Sequence, residues 1–183
     1  MYEHKRIILL MMTHLNIEVK AKYHRAEFLR EYLKNNNAEF KGTDHQIDTY
    51  FNVTSGRLKL REGHIENNLI YYERSDRPDA KESYFQLVNV ADTKGLKGIL
   101  SKSLGIKVVV EKRREIYFIK NVKFHIDAVE GLGNFIEIEA SNLYSNVSKE
   151  DLHRQCNFYV REFRIKGEDL IDISYSDLLL QEK

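Results

Sequence analysis

The stretch KFHIDAVEGLGNFIEIE, Lys123–Glu139, reads as two short strands folded back on each other at Gly131-Leu132-Gly133. Glycine reaches turn conformations that bulkier residues resist, and alternating apolar runs flank this turn on both sides. Strand side chains alternate between faces, so Glu137 and Glu139 share one face with Phe135 while Ile136 and Ile138 take the other. In the preceding arm His125 and Asp127 lie with Val129, opposite Phe124 and Ile126. Carboxylates gathered on the polar side of one hairpin suit a hard cation such as Mg²⁺ or Mn²⁺, which prefers oxygen ligands. A half-wet antiparallel sheet gives the same pattern with no ion, so the hairpin alone leaves both readings open.

The same alternation recurs outward in both directions. Asn16–Lys22 sets Asn16, Glu18, Lys20 and Lys22 against Ile17, Val19 and Ala21, and His45–Val53 sets Gln46, Asp48, Tyr50 and Asn52 against Ile47, Thr49, Phe51 and Val53. After a Thr54-Ser55-Gly56 turn, Arg57, Lys59 and Arg61 line one face of the next strand; three cations side by side repel unless water or an anion lies between them. Leu69–Arg74 and Ser83–Val90 read as further strands. In Val108–Ile119, Lys112 and Arg114 join Val110 and Ile116, while Glu111, Arg113 and Glu115 face the other way as exterior ion-pair partners. Lys22 and Lys123 read as solvated rim charges, Tyr50, Tyr71 and Tyr72 as packing groups, and His125 as a structural hydrogen-bonding group or a proton carrier.

Helices punctuate these strands. Phe28, Leu29, Tyr32 and Leu33 recur at helical spacing between Arg25 and Asn35. Asp92 is a fitting N-cap for a helix carrying Leu96, Ile99, Leu100 and Leu104 up to Gly105, although Gly95 and Gly98 weaken it. Ser148 with Asp151 opens a helix whose buried stripe is Leu152, Cys156, Tyr159, Val160 and Phe163, and Glu168–Leu180 ends in a last short helix. About eight strands with charged and apolar faces admit an open sheet or a closed barrel. Amphipathic helices need apolar surface to cover, which points to a barrel with its charges inside and helices outside, a mainly β fold with α. On its charged faces Lys20, Lys22, Arg57, Lys59, Arg61, Arg74, Lys112, Arg114 and Lys123 outnumber Glu18, Asp127, Glu137 and Glu139, a mixture suited to a polyphosphate bridged by a divalent metal.

Composition bounds the rest. At 183 residues, 42% hydrophobic and 31% charged, residues 1–183 fit a single domain with its core at 14–180. The net charge of +1 gives no bulk attraction to nucleic acid or membrane, and the chain is read as binding neither. A lone cysteine, Cys156, excludes an internal disulfide and a cysteine-based zinc motif. Lys5-Arg6 before Ile7–Met12 imitates a signal peptide, but the apolar run is too short and lacks a cleavage site, so a cytoplasmic protein is expected. Residues 1–13 read as a flexible or over-extended start, and no transmembrane span is present.

Five motifs in order resemble the CYTH domain: Asn16-x-Glu18-x-Lys20, Gln46-x-Asp48-x-Tyr50-Phe51, Arg57-Leu-Lys-Leu-Arg61, Glu111-Lys-Arg-Arg-Glu-x-Tyr117 and Asp127-x-Val-Glu-Gly-Leu-Gly-x-Phe-x-Glu-x-Glu139. That family comprises the triphosphate tunnel enzymes, namely class IV adenylyl cyclases, thiamine triphosphatases and inorganic triphosphatases, and the Val-Glu-Gly-Leu-Gly turn is most similar to the cyclase branch. The resemblance implies an eight-stranded antiparallel tunnel holding a small-molecule triphosphate, with Mg²⁺ or Mn²⁺ as cofactor and a homodimer as the assembly. It implies Glu18, Glu137 and Glu139 as metal-side carboxylates with Asp127 near them. Lys20, Lys59, Arg61, Arg74, Lys112 and Arg114 would grip phosphate, and Lys20 and Asp127 are the candidate catalytic groups. The family signature begins Glu-x-Glu-x-Lys, whereas this chain has Asn16 first, a neutral oxygen that would hold a metal more weakly. The expected reactions are conversion of ATP to cyclic AMP and pyrophosphate, or hydrolysis of an inorganic, thiamine or nucleoside triphosphate. A polyphosphate- or nucleotide-binding protein without turnover is the expectation from a different class.

Overall fold

A strand with one charged and one apolar face is satisfied when the sheet curls until its charged faces meet. A computed structural model describes residues 14–74, 81–143 and 146–182, and its strands do this. The strands are β1 (His14–Lys22), β2 (Glu39–Phe51), β3 (Arg57–Glu62), β4 (Asn68–Arg74), β5 (Lys81–Asn89), β6 (Ile106–Ile119), β7 (Val122–Val129) and β8 (Gly133–Ser141). They close in the order β1-β5-β4-β3-β2-β6-β7-β8, antiparallel throughout, with β8 zipped to β1 from Asn16–Ser141 to Lys22–Phe135. The β7–β8 turn needs Gly131 and Gly133 at φ 76° and 94°, where a side chain would be strained. β2 starts well before the His45 expected from alternation. Gly42, at φ 128° beside a register shift against β6, breaks the two-residue period there and hides the strand's first turn of sequence. The expectation of a flexible or over-extended start at 1–13 lies outside the described residues.

Two helices cover the apolar exterior of one side. α1 (Ala26–Asn35) and α3 (Lys149–Glu162) pack Leu29, Leu33, Leu152 and Cys156 onto Ile17, Ala21, Phe124 and Ile138, all 0% exposed. Each Leu, Ile or Phe among them contributes about 1.5–3 kcal/mol by leaving water. Ser148 caps α3 as its spacing predicts, its hydroxyl accepting from the Asp151 N–H. Glu115, on the outer face of β6, is held by Arg30 of α1 at 2.6 Å, so this exterior ion pair is half-buried rather than solvated.

The other two helices form where the sequence places them but pack differently. α2 (Thr93–Leu104) starts on Asp92 as expected, yet it buries no residue fully and leaves Ile99 65% exposed. Its Leu96, Leu100 and Leu104 are only half-buried against β2 and β3. α4 (Tyr175–Gln181), capped by a reciprocal Ser174–Asp177 box, sends its first residue into the barrel. There Tyr175 meets Phe135 at 4.9 Å and joins Val108, Val110 and Val129 in a cluster that fills the lumen at that end. Among the described residues no helix is long and apolar enough to cross a membrane.

Candidate active site

Above the Tyr175 cluster the barrel encloses a cavity of about 660 Å³. Glu18, Lys20, Lys59, Arg61, Lys112, Arg114, Glu137 and Glu139 all line it, brought from β1, β3, β6 and β8 by the alternation that sends every second side chain inward. Pairing fixes their levels. From the filled end upward, β8 presents Phe135, Glu137, Glu139 and Ser141 against Lys22, Lys20, Glu18 and Asn16 of β1. Across β7 the same levels hold Asp127, His125 and Lys123. The far end leads out past the exposed Lys120.

Asp127 is among the residues the barrel sets apart from the cavity wall. Both its oxygens accept from Arg114, at 2.7 and 2.6 Å, and Tyr175 donates to it at 2.8 Å. Arg74 ends β4 opposite Ser83; its side chain lies outside the described residues. Arg57 turns to Asp177 of α4 at 2.9 Å. Lys22 is exposed as expected, but Lys123 is half-buried and paired to Glu66 at 2.6 Å, which corrects its reading as a solvated rim charge.

The cations are held in place by carboxylates. Asp48, 2% exposed, takes Lys59 at 3.1 Å, Lys112 at 2.7 Å and Arg61 through two bonds of 2.8 and 2.9 Å. Burial opposes its charge, but Arg61, Lys112 and Lys59 outweigh that and hold the carboxyl well below its ordinary range. Glu137 is the second hub, accepting from Lys20 at 3.1 Å and Arg114 at 2.7 Å and meeting His125 Nδ1 at 3.1 Å. Burial pushes it up, while Lys20 and Arg114 bring it well below the usual range. Lys112 is lowered as well, which in a base favours the neutral form. Burial, opposed by Asp48 and reinforced by Arg61 and Arg114, lowers its ammonium to about 7.

Asp48, quoted above only as a motif residue, and Glu66, which no motif contains, both lie among the cations and narrow their excess over the acids. Asp48 shares an inward face with Gln46 and Tyr50, and three cations on the neighbouring β3 were the available signal for a counter-ion. Glu66 sits in the β3–β4 turn, where no periodicity marks it. Tyr175 was equally invisible, since a tail helix of 7 residues gives too short a pattern to show which way it points.

The metal-fitting feature is a clash of like charges. Glu18 stands directly opposite Glu139 in the β1–β8 ladder, a pairing that is destabilising unless a cation or proton intervenes. Burial, then the charge of Glu137, raises Glu139 to about 7, so the carboxyl retains a proton near neutrality. One donor atom each of His125, Glu137 and Glu139 lies within 4.8 Å of the others. Burial, and next Arg114, lowers His125 to about 3, so its imidazole is neutral and can offer a lone pair. This oxygen-rich set fits a hard divalent ion. Asn16 lies one step outward from Glu18, and its Oδ1 is buried without a hydrogen-bond partner among the described residues.

A family model for the CYTH domain matches residues 14–171. A protein of Methanocaldococcus jannaschii named "Putative adenylate cyclase" is 27% identical over 175 residues, covering 90% of this chain and 98% of that protein. A solved structure of a Pyrococcus horikoshii OT3 protein superposes with a TM-score of 0.77 at 27% identity, covering 89% of this chain and 98% of that one. A Hippeastrum protein, described as a "putative adenylyl cyclase" with a dominant triphosphatase activity, shares the fold at a TM-score of 0.61 and 13% identity, covering 93% of this chain and 96% of its own.

Proposed function

The chain belongs to the CYTH domain family, whose tunnel enzymes act on triphosphates with a metal, and from that premise we propose that it converts ATP to cyclic AMP and pyrophosphate. The observation that carries this reading is the juxtaposition, within one cavity, of buried cations and of Glu18 directly opposite Glu139. The M. jannaschii relative, matched over nearly its whole length, supports the cyclase branch.

In this reading Lys20, Lys112 and Arg114 bind the phosphate oxygens. Each is anchored by a carboxylate on a barrel strand, so little reorganisation is needed when the negative charge of the reaction develops. Hydrogen bonds from charged donors of this kind contribute about 1.5–3 kcal/mol each. Lys59 and Arg61, both tied to Asp48, extend the cationic wall on β3. Mg²⁺ or Mn²⁺ held by Glu18, Glu137 and Glu139 would supply Lewis-acid polarisation of the attacking hydroxyl and of a phosphoryl oxygen. With Glu139 committed to the metal, no side chain is assigned as base, and the proton of the ribose 3′-hydroxyl passes to solvent water as that oxygen bonds to the α-phosphorus and pyrophosphate leaves. Asp127 acts at one remove, fixing Arg114 from below.

The same cavity cations and carboxylates would serve a triphosphatase, the second reading, in which water attacks the terminal phosphorus. The neutral Asn16 favours a third, binding without turnover. Incubating the protein with ATP or tripolyphosphate and Mn²⁺, then separating the products, decides among them. Cyclic AMP with pyrophosphate is the expected outcome. Orthophosphate with ADP from ATP, or with pyrophosphate from tripolyphosphate, gives the hydrolase, and saturable binding with no product removes the enzymatic reading altogether.

A further inference from the structure

We propose that Gln46, Arg61 and Lys123 form a phosphoryl subsite at the outer level of the cavity, which the chain fills with its own Glu66 carboxylate and yields to the outermost phosphoryl group of a bound triphosphate. This rests on the triphosphate reading above and deepens it. The geometry is that of an anion site with an anion in it. Glu66 Oε1 accepts from Lys123 Nζ at 2.6 Å, and Oε2 accepts from Arg61 at 2.7 Å and from Gln46 Nε2 at 3.0 Å. The three donors come from β7, β3 and β2, so they converge only because the barrel closes. A phosphoryl group carries up to about two charges and three acceptor oxygens, against one charge and two oxygens for a carboxylate, and so answers the same donors more fully.

What makes Glu66 the displaceable anion is how its turn is held. Asp44, fully buried on β2, accepts the backbone N–H groups of His64 at 2.7 Å, Ile65 at 3.2 Å and Glu66 at 3.2 Å. A β-carbon on Gly63 would collide with that same carboxylate, so the turn packs directly onto it. The backbone of residue 66 is thereby fixed independently of its side chain. Asp48 and Glu137 sit on barrel strands with side chains 3% and 8% exposed, whereas the Glu66 side chain is 16% exposed and can rotate outward without moving the turn. Arg61 would keep its two bonds to Asp48 through the exchange.

The test is calorimetric titration of the full chain with inorganic tripolyphosphate at fixed ionic strength. Glu66→Gln, which keeps size and removes the charge, is expected to bind at least threefold more tightly than wild type, and Lys123→Gln at least threefold less tightly. If Glu66 merely positions Arg61 and Lys123, the sign reverses: Glu66→Gln binds equally or more weakly, and the subsite is overturned while the triphosphate reading stands. Should Glu66→Gln fail to fold, Lys123→Gln decides, and an unchanged affinity overturns the subsite. If neither wild type nor Glu66→Gln binds tripolyphosphate, the reading of the cavity falls and the subsite with it.

Discussion

The wall of the barrel made by β1, β7 and β8 and the wall made by β4 and β5 differ on both faces at once. Outside, the first is backed by α1 and α3, with Ile17, Phe124 and Ile138 at 0% exposure, while β5 leaves Tyr84 47% and Val88 59% exposed. Inside, the first presents Glu18, Lys20, His125, Glu137 and Glu139, whereas the described lumen side chains of the second are the neutral Asn68, Ile70, Tyr72, Ser83, Phe85, Leu87 and Asn89. Like charges brought close must be held against their repulsion, and that requires strands that cannot splay. The helices sit where this demand is greatest. A wall whose described lumen side chains are neutral makes no such demand over that stretch and does without them.

The most severe way to break the contrast is Glu137→Ala. It strips the charged wall of its hub and leaves Lys20 and Arg114 buried with one partner fewer. Turnover is expected to fall about 10²–10³-fold, and stability by about 3–5 kcal/mol, measured by steady-state rates and urea unfolding. Next comes a paired truncation of the two exteriors. Leu152→Ala beneath α3 is expected to cost about 2–5 kcal/mol, and Val88→Ala on the bare wall less than about 0.5 kcal/mol. Equal losses would remove the argument that the helices back the charged side.

A third test probes the cations through pH. Lys112 is lowered to about 7, so it is charged below that value and neutral above it. A bound polyanion favours the ammonium form, and above pH 7 binding must therefore take up a proton. The Lys112 contribution to tripolyphosphate affinity should weaken by up to about tenfold per pH unit between pH 7.5 and 9, while Lys112→Arg, which stays charged, flattens that slope. Identical slopes in the two proteins, read by calorimetry, would show that Lys112 does not meet the anion. The smallest effect is expected from Tyr175→Phe. It keeps the ring against Phe135 and removes one donor to Asp127, for about 1 kcal/mol in unfolding with only a modest change in rate.

What the sequence disclosed follows the same division. Along β1, β7 and β8 charged and apolar residues alternate because both faces are under strict demand, so spacing puts Glu18, Lys20, Glu137 and Glu139 on charged faces and the helices' need for apolar surface turns those faces inward; on β6, where Glu111–Glu115 are all charged, the same barrel argument places Lys112 and Arg114 inside. β4 and β5 alternate less sharply, since a neutral interior and a bare exterior ask for similar residues. Glu66 and Tyr175 lay hidden for another reason: a turn and a tail helix have no period, and their destinations are set by contacts distant in the chain. α2 forms as its Asp92 cap predicts, and the weakness that Gly95 and Gly98 signal shows in its packing, with no residue buried and Ile99 exposed.

Asp44 holds the 63–67 turn by its peptide groups and ignores most of its side chains. A loop fastened in that manner behaves as an exchangeable fitting: with Gly63 retained, the residues from 64 to 66 can be rewritten while the frame beneath them keeps its shape. Remodelling of what the barrel admits can therefore proceed through a few substitutions at this rim, without disturbing the strands that carry the chemistry.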